Sequence, residues 1–116
     1  MKNYEDMSDF EINKRVFKAI VGAKPLGYPH NADGRSVGNE ANGNYRWYDY
    51  CNNPADAWPI IDENNITIIN DHPSMRLAVN DVSGYYNGFS GIIASFDENG
   101  FRAAMIVFLK MNDGKL

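Results

Sequence analysis

A chain of 116 residues with 44% hydrophobic residues is long enough for one domain with its own core, burying roughly two-thirds of its unfolded surface. Its net charge of -4 argues against broad charge-driven binding to nucleic acid or anionic lipid, while leaving room for a local basic patch. The single Cys51 has no second cysteine to bridge, and no Cys/His spacing matches a zinc site, which excludes a disulfide framework and a zinc-nucleated core.

Met1-Lys2-Asn3-Tyr4-Glu5-Asp6 carries acid where a signal peptide would carry an apolar run, and no apolar run reaches membrane-span length, so a cytoplasmic protein without membrane association is expected. Ser8-Asp9-Phe10-Glu11 then reads as a capping box, with Met7 and Ile12 placed as a hydrophobic staple. Phe10, Ile12, Val16, Phe17, Ala19, Ile20 and Val21 recur at helical spacing, opposite Glu11, Lys14, Arg15 and Lys18. Gly22 is placed to end this first helix.

Residues 22–44 turn to glycine, proline, asparagine and short polar residues without a sustained period, which predicts a long, partly mobile loop that could serve as a binding lid. Gly22, Gly27, Gly34, Gly38 and Gly43 do not make a phosphate loop, because no Gly-Lys-Ser/Thr follows them. No other nucleotide or cofactor signature occurs, so no cofactor is expected. His30 lies in this stretch as an isolated loop histidine.

Tyr45-Arg46-Trp47-Tyr48-Asp49-Tyr50-Cys51 alternates like a strand, with Tyr45, Trp47 and Asp49 on one side and Arg46, Tyr48 and Tyr50 on the other. Asn53 caps and Pro54 begins a second helix predicted over 54–64, with Asp56 in its first turn and a kink near Pro59. Ala55, Trp58 and Ile60 or Ile61 are expected to face the sheet, Trp58 as a core anchor. Residues 66–70 and 75–80 read as a hairpin across the turn Asp71-His72-Pro73-Ser74. Asp71, His72 and Ser74 are the residue types of a hydrolytic triad, but one tight turn cannot set acid, base and nucleophile in series. Asn65-Ile66-Thr67 matches a glycosylation sequon, unused in a cytoplasmic protein.

Residues 81–91 form a turn-rich connection that carries Tyr85, Tyr86 and Phe89 towards the surface. A last, largely buried strand is predicted over 91–96, and Asn99 caps a closing helix over 101–111 that is apolar around most of its circumference. Such a helix is buried on two sides or docks against a partner. Arg102, near the unfavourable end of the helix dipole, calls for an acidic contact with Asp97 or Glu98.

Three blocks, 8–16 (Ser8-Asp9-Phe10-Glu11-Ile12-Asn13-Lys14-Arg15-Val16), 49–61 (Asp49-Tyr50-Cys51-Asn52-Asn53-Pro54-Ala55-Asp56-Ala57-Trp58-Pro59-Ile60-Ile61) and 102–109 (Arg102-Ala103-Ala104-Met105-Ile106-Val107-Phe108-Leu109), together resemble the NinX family of phage and prophage proteins. The resemblance covers nearly the whole chain, least well over 22–44 and 71–91, and the layout is similar to phage domains described as helix-sheet-helix sandwiches. It implies a phage or prophage origin and a bacterial host cytoplasm, and brings no assigned activity or catalytic residue with it.

The element order predicts a single α+β domain over 1–116, a small, mainly antiparallel sheet of about three to five strands packed with about three helices. Without a catalytic constellation, a non-enzymatic accessory protein that binds another protein, or a second copy of itself, is the leading expectation. A single-stranded nucleic-acid accessory is the alternative, gripping through Arg46, Trp47, Tyr48, Tyr50, Arg76, Tyr85 and Tyr86 by stacking and charge. A small enzyme built on Cys51, His30 or His72 with Asp49 or Asp81 is the third. No metal ligand set is expected.

Overall fold

The computed structural model describes residues 3–22, 34–41, 44–70, 74–88 and 91–113. After a short 3-10 turn (Tyr4–Asp6), helix α1 (Asp9–Val21) starts where the Ser8 hydroxyl accepts a hydrogen bond from the Glu11 amide at 3.1 Å. It stops at Gly22, whose left-handed φ of 79° lets its amide donate to the Lys18 carbonyl at 2.8 Å. The Glu11 carboxylate turns to Lys14, 3.2 Å away, and lies 3.7 Å from Arg15. Ile12, Asn13, Val16 and Phe17 form the buried face, whereas Ile20 and Val21, expected on it, are about half exposed.

Residues 37–41 depart from the expected loop. They form strand β1 (Val37–Ala41), paired antiparallel with β2 (Asn44–Tyr48) in the register Val37↔Tyr48 and Gly38↔Trp47. A Cβ on Gly38 would come within 2.8 Å of the Trp47 ring. The bare glycine that suggested a loop is therefore the surface on which the indole lies. Residues 23–33 and 42–43 of that expected loop, His30 included, lie outside the described residues.

Helix α2 (Pro54–Glu63) begins where the Asn53 side chain accepts from the Ala55 amide at 3.0 Å, and it runs through Pro59. Its buried face is Ala57, Ile60 and Ile61. Trp58 and Ala55 are exposed, contrary to the expected core anchor; 57, 60 and 61 share an i, i+3, i+4 stripe, and position 58 is turned about 100° away from 57 around the helix. Asn65 then adopts a left-handed φ of 55°, and the Ile66 amide donates back to Ile61 at 3.0 Å, closing the helix end.

Strands β3 (Thr67–Ile69), β4 (Arg76–Val79) and β5 (Ala94–Asp97) make an antiparallel sheet in that order, so the described strands fall into two small sheets. Ile69, Leu77 and Phe96 stand across from one another in its register. Between β4 and β5, where a turn-rich connection was expected, lies a five-residue helix α3 (Val82–Tyr86), because the Asp81 carboxylate accepts from the Gly84 amide at 3.0 Å and organises one turn.

Helix α4 (Gly100–Met111) closes the fold. The Asn99 side chain accepts from the amides of both Phe101 and Arg102, and Ala103–Leu109 are buried without interruption. They pack against β4, β5, α1 and α2, so the apolar circumference is consumed inside the fold. Glu5 receives Lys110 Nζ at 2.6 Å, and the Tyr4 hydroxyl donates to Asp113, so the N-terminal turn lies against the last turn of α4. The architecture is α+β, and among the described residues no helix is long and apolar enough to cross a membrane.

Candidate functional site

Asp9, Asn13, Asp49, Asn52, Asp56 and Arg102, from the three sequence blocks, meet with Arg35, Asp97 and Asn99 in one polar junction. Asn13, fully buried on α1, donates from Nδ2 to Asp49 Oδ1 at 2.9 Å and to the Arg35 carbonyl at 2.9 Å. Its Oδ1 accepts from the Cys51 amide at 3.1 Å. Asp49, also buried, receives Arg35 Nε at 2.7 Å and Asn52 Nδ2 at 3.1 Å, while its amide donates to Asp56 at 2.9 Å. Asn52 continues the network, donating to Asp9 at 3.0 Å and accepting from Asn99 Nδ2 at 2.9 Å; Asn99 Nδ2 also donates to the Cys51 carbonyl at 2.7 Å.

Arg102 completes it. Nη1 donates to Asp9 Oδ1 at 2.6 Å, Nε to Asp97 at 2.9 Å, and Nη2 to the carbonyls of Met7 at 2.7 Å and Glu5 at 3.2 Å. Burial alone would weaken its charge, but the hydrogen bonds and attraction of Asp9 and Asp97 outweigh it, and the guanidinium is held above its ordinary pKa. These interlocking bonds compensate the desolvated charges and fix α1, the 49–56 turn and the β5–α4 corner against one another. The expected acidic contact of Arg102 is thus Asp97, joined by Asp9 from the other end of the chain.

Cys51 sits inside this junction and is fully buried. Burial, with the nearby Asp9, Asp49 and Asp97 carboxylates adding to it against the opposing pull of Arg102, pushes its thiol well above the ordinary value. That is the opposite of what a nucleophilic thiolate needs. Asp49 is fully engaged and Asp81 caps α3. His30, Asp71 and His72 lie outside the described residues. Among the described residues no group of three or more His, Cys, Asp or Glu side chains is placed to hold a metal ion.

The seven residues expected to bind are distributed over the molecule. On one side of β2 the Arg46 guanidinium lies 5.1 Å from the centre of the Tyr48 ring, and Tyr48 stacks on Tyr50 at 5.6 Å and 6°. Tyr48 also tilts against Phe17 at 5.9 Å, and Tyr50 is buried, its hydroxyl pushed up by that burial. Trp47 points to the other side, into an open polar cleft it shares with Arg35, Asp49, Asn52 and Asp56. Arg76 lies in a different cleft, with Trp58 and Phe101. Tyr85 and Tyr86 meet edge to face at 5.0 Å on α3, with Tyr86 71% exposed.

Two of these places are concave, the first mainly apolar and the second mixed. The Tyr48–Tyr50 stack walls a groove of about 430 Å³ between α1, α2 and α4, with Ile20, Pro59, Ile60 and Phe108. The second cleft, about 410 Å³, is floored by Trp58, Ile68 and Phe101. Asn13, Asp9, Asn52 and Asn99 went unrecognised as one unit in the sequence; the signal that could have found them is a fully polar residue, Asn13, on the apolar stripe of α1.

Among curated proteins no match is found. The family model described as bacteriophage P22, NinX matches residues 3–112, which takes in every residue of the polar junction. The chain belongs to this NinX family of phage proteins.

Proposed function

We propose that this phage-family protein is a non-enzymatic accessory factor that docks onto a protein partner through the groove between α1, α2 and α4. The observation that carries this reading is the rim of the groove, where Ile20, 48% exposed, stands with the paired rings of Tyr48 and Tyr50. An apolar trough with Glu63 and Asn64 at its margin suits the apolar face of a partner helix or loop. The buried Cys51 and the fully engaged junction supply no free base or nucleophile, which supports a binding role over catalysis.

The test is affinity capture from phage-infected cells with the parent chain and with Ile20→Glu, which places a charge on an exposed position of the rim. Specific partners captured by the parent and lost by the variant, at unchanged melting temperature, support the reading. Identical capture by both proteins, or a strictly monomeric parent that captures nothing, sinks it.

The Arg46–Tyr48 contact favours a second reading, in which single-stranded nucleic acid lies along the face of β2 that carries this pair. Fluorescence anisotropy with labelled oligonucleotides at low salt measures it. Salt-weakened binding reduced by Arg46→Ala supports it, and absence of binding at low salt ends it.

A further inference from the structure

We infer that the cleft beside Trp58 is a nucleotide site, taking a planar base against the indole and a phosphate at Arg76. It is separate from the docking groove, with no lining residue in common. Trp58 leaves 46% of its surface in solvent, although it meets Phe101 edge to face at 5.8 Å. The cleft it borders, about 410 Å³, falls within the roughly 300–1,000 Å³ of small-molecule sites.

Three polar side chains converge there without a hydrogen-bond or ion-pair partner among the described residues: Asn70, Arg76 and Glu98. Arg76 is the informative one. Asp97 stands directly opposite it in the strand register, yet gives one oxygen to the Asn99 amide and the other to Arg102 Nε. The guanidinium is therefore open to an anion from outside, and its stem passes close to Gly100, where a Cβ would lie 3.6 Å from Arg76 Cγ.

The combination selects a ligand class. Inorganic phosphate would use Arg76 and ignore the rings, and a plain apolar acid would make no use of the Asn70 amide or the Glu98 carboxylate. A nucleobase offers a flat π-face to Trp58 and in-plane donors and acceptors to the Asn70 amide, while a phosphate pairs with guanidinium through charge-assisted hydrogen bonds. Glu98 accepts only, so it favours adenine, guanine and cytosine, whose exocyclic amino group donates to it, over uracil, which offers its ring N3–H alone. The same chemistry is presented by a free mononucleotide and by one nucleotide of a strand.

Equilibrium dialysis with labelled AMP, CMP and UMP tests this, with adenosine, ribose 5-phosphate and a short oligoadenylate as further arms. Saturable submillimolar binding of AMP and CMP is expected, at least about fivefold tighter than UMP. Arg76→Gln weakens AMP about tenfold and leaves adenosine unchanged, and Trp58→Leu weakens both by at least about fivefold. Glu98→Gln, an exposed change that should not affect folding, narrows the difference between AMP and UMP and serves as the decisive variant if the others fail to fold. Oligoadenylate binding tighter than AMP assigns the ligand to a strand, and equal binding to free nucleotide; both uphold the site. No saturable binding of AMP or CMP up to about 5 mM, ribose 5-phosphate as tight as AMP, or an AMP/UMP ratio untouched by Glu98→Gln overturns it.

Discussion

Arg102, in the first turn of α4, holds Asp9, in the first turn of α1, at 2.6 Å, and so ties together two helices whose partners here are 93 residues apart in sequence. The same guanidinium bonds Asp97 and two backbone carbonyls, and it is only 13% exposed. Removing it leaves two partly buried carboxylates facing each other's field without a cation. Arg102→Met should destabilise the protein by about 2–4 kcal/mol, measured by urea denaturation. Arg102→Lys should recover less than half of that, since one ammonium cannot reach both carboxylates and both carbonyls in the planar fork geometry. An Arg102→Met variant within about 0.5 kcal/mol of the parent would show that the junction contributes little.

Asn13 is a neutral donor between a carboxylate and an amide. Asn13→Asp keeps the shape but sets a second carboxylate at the position now 2.9 Å from Asp49, where the amide donates. At pH 7 this variant should be less stable than Asn13→Ala, which itself loses about 1–3 kcal/mol through unsatisfied Asp49 and Cys51 groups. Protonating one acid restores a donor, so the Asn13→Asp deficit should shrink as the pH falls towards 4. A deficit that is the same at both pH values would refute the assigned donor.

Alkaline stability follows from the buried acids that resist ionisation. Cys51 is raised above its ordinary value of 9.0 chiefly by burial. Tyr4 is pushed up to about 12 by burial and by its hydrogen bond to Asp113. Both groups hold their proton more tightly folded than unfolded, so their contribution is fully present below the unfolded pKa and is lost as pH rises. The loss begins near pH 9 with Cys51 and steepens from about 10 to 12 with Tyr4, each group adding a slope of about 1.4 kcal/mol per pH unit. Thermal melts from pH 7 to 11 should show Cys51→Ala losing the first part of this decline and keeping the second. A parent whose melting temperature is flat from pH 8.5 to 10 contradicts the burial of the thiol.

The parts of the fold that local chemistry determines were legible in the sequence. Ser8, Gly22, Asn53 and Asn99 end or begin helices through bonds to residues within four positions, Pro54 opens α2 at a position that needs no amide, and all act where their type and spacing place them. The alternation of β2 likewise separates Trp47 from Arg46, Tyr48 and Tyr50. What was not legible depends on distant partners. Val37–Ala41 has little β-propensity of its own and is a strand because β2 pairs with it and Trp47 covers Gly38. Asn13 looks misplaced on an apolar stripe until Asp49 and the Cys51 amide, 36 and 38 residues on, arrive beside it. Trp58 was assigned to the core because of its size, whereas helix phase put Ala57, Ile60 and Ile61 there. That Arg76 and the Tyr85–Tyr86 pair sit apart from β2 is a property of topology, which no local pattern carries.

The uninterrupted burial of Ala103–Leu109 has a consequence for how the protein comes into being. Helix α4 follows every other described element in the chain, yet it packs against α1, α2 and the three-stranded sheet. A nascent chain therefore holds Phe17, Ile61 and Ala78 without their packing partner until synthesis has passed Leu109. Completion of this core waits for α4, and a product released before Gly100 should be an unprotected substrate for cellular proteases.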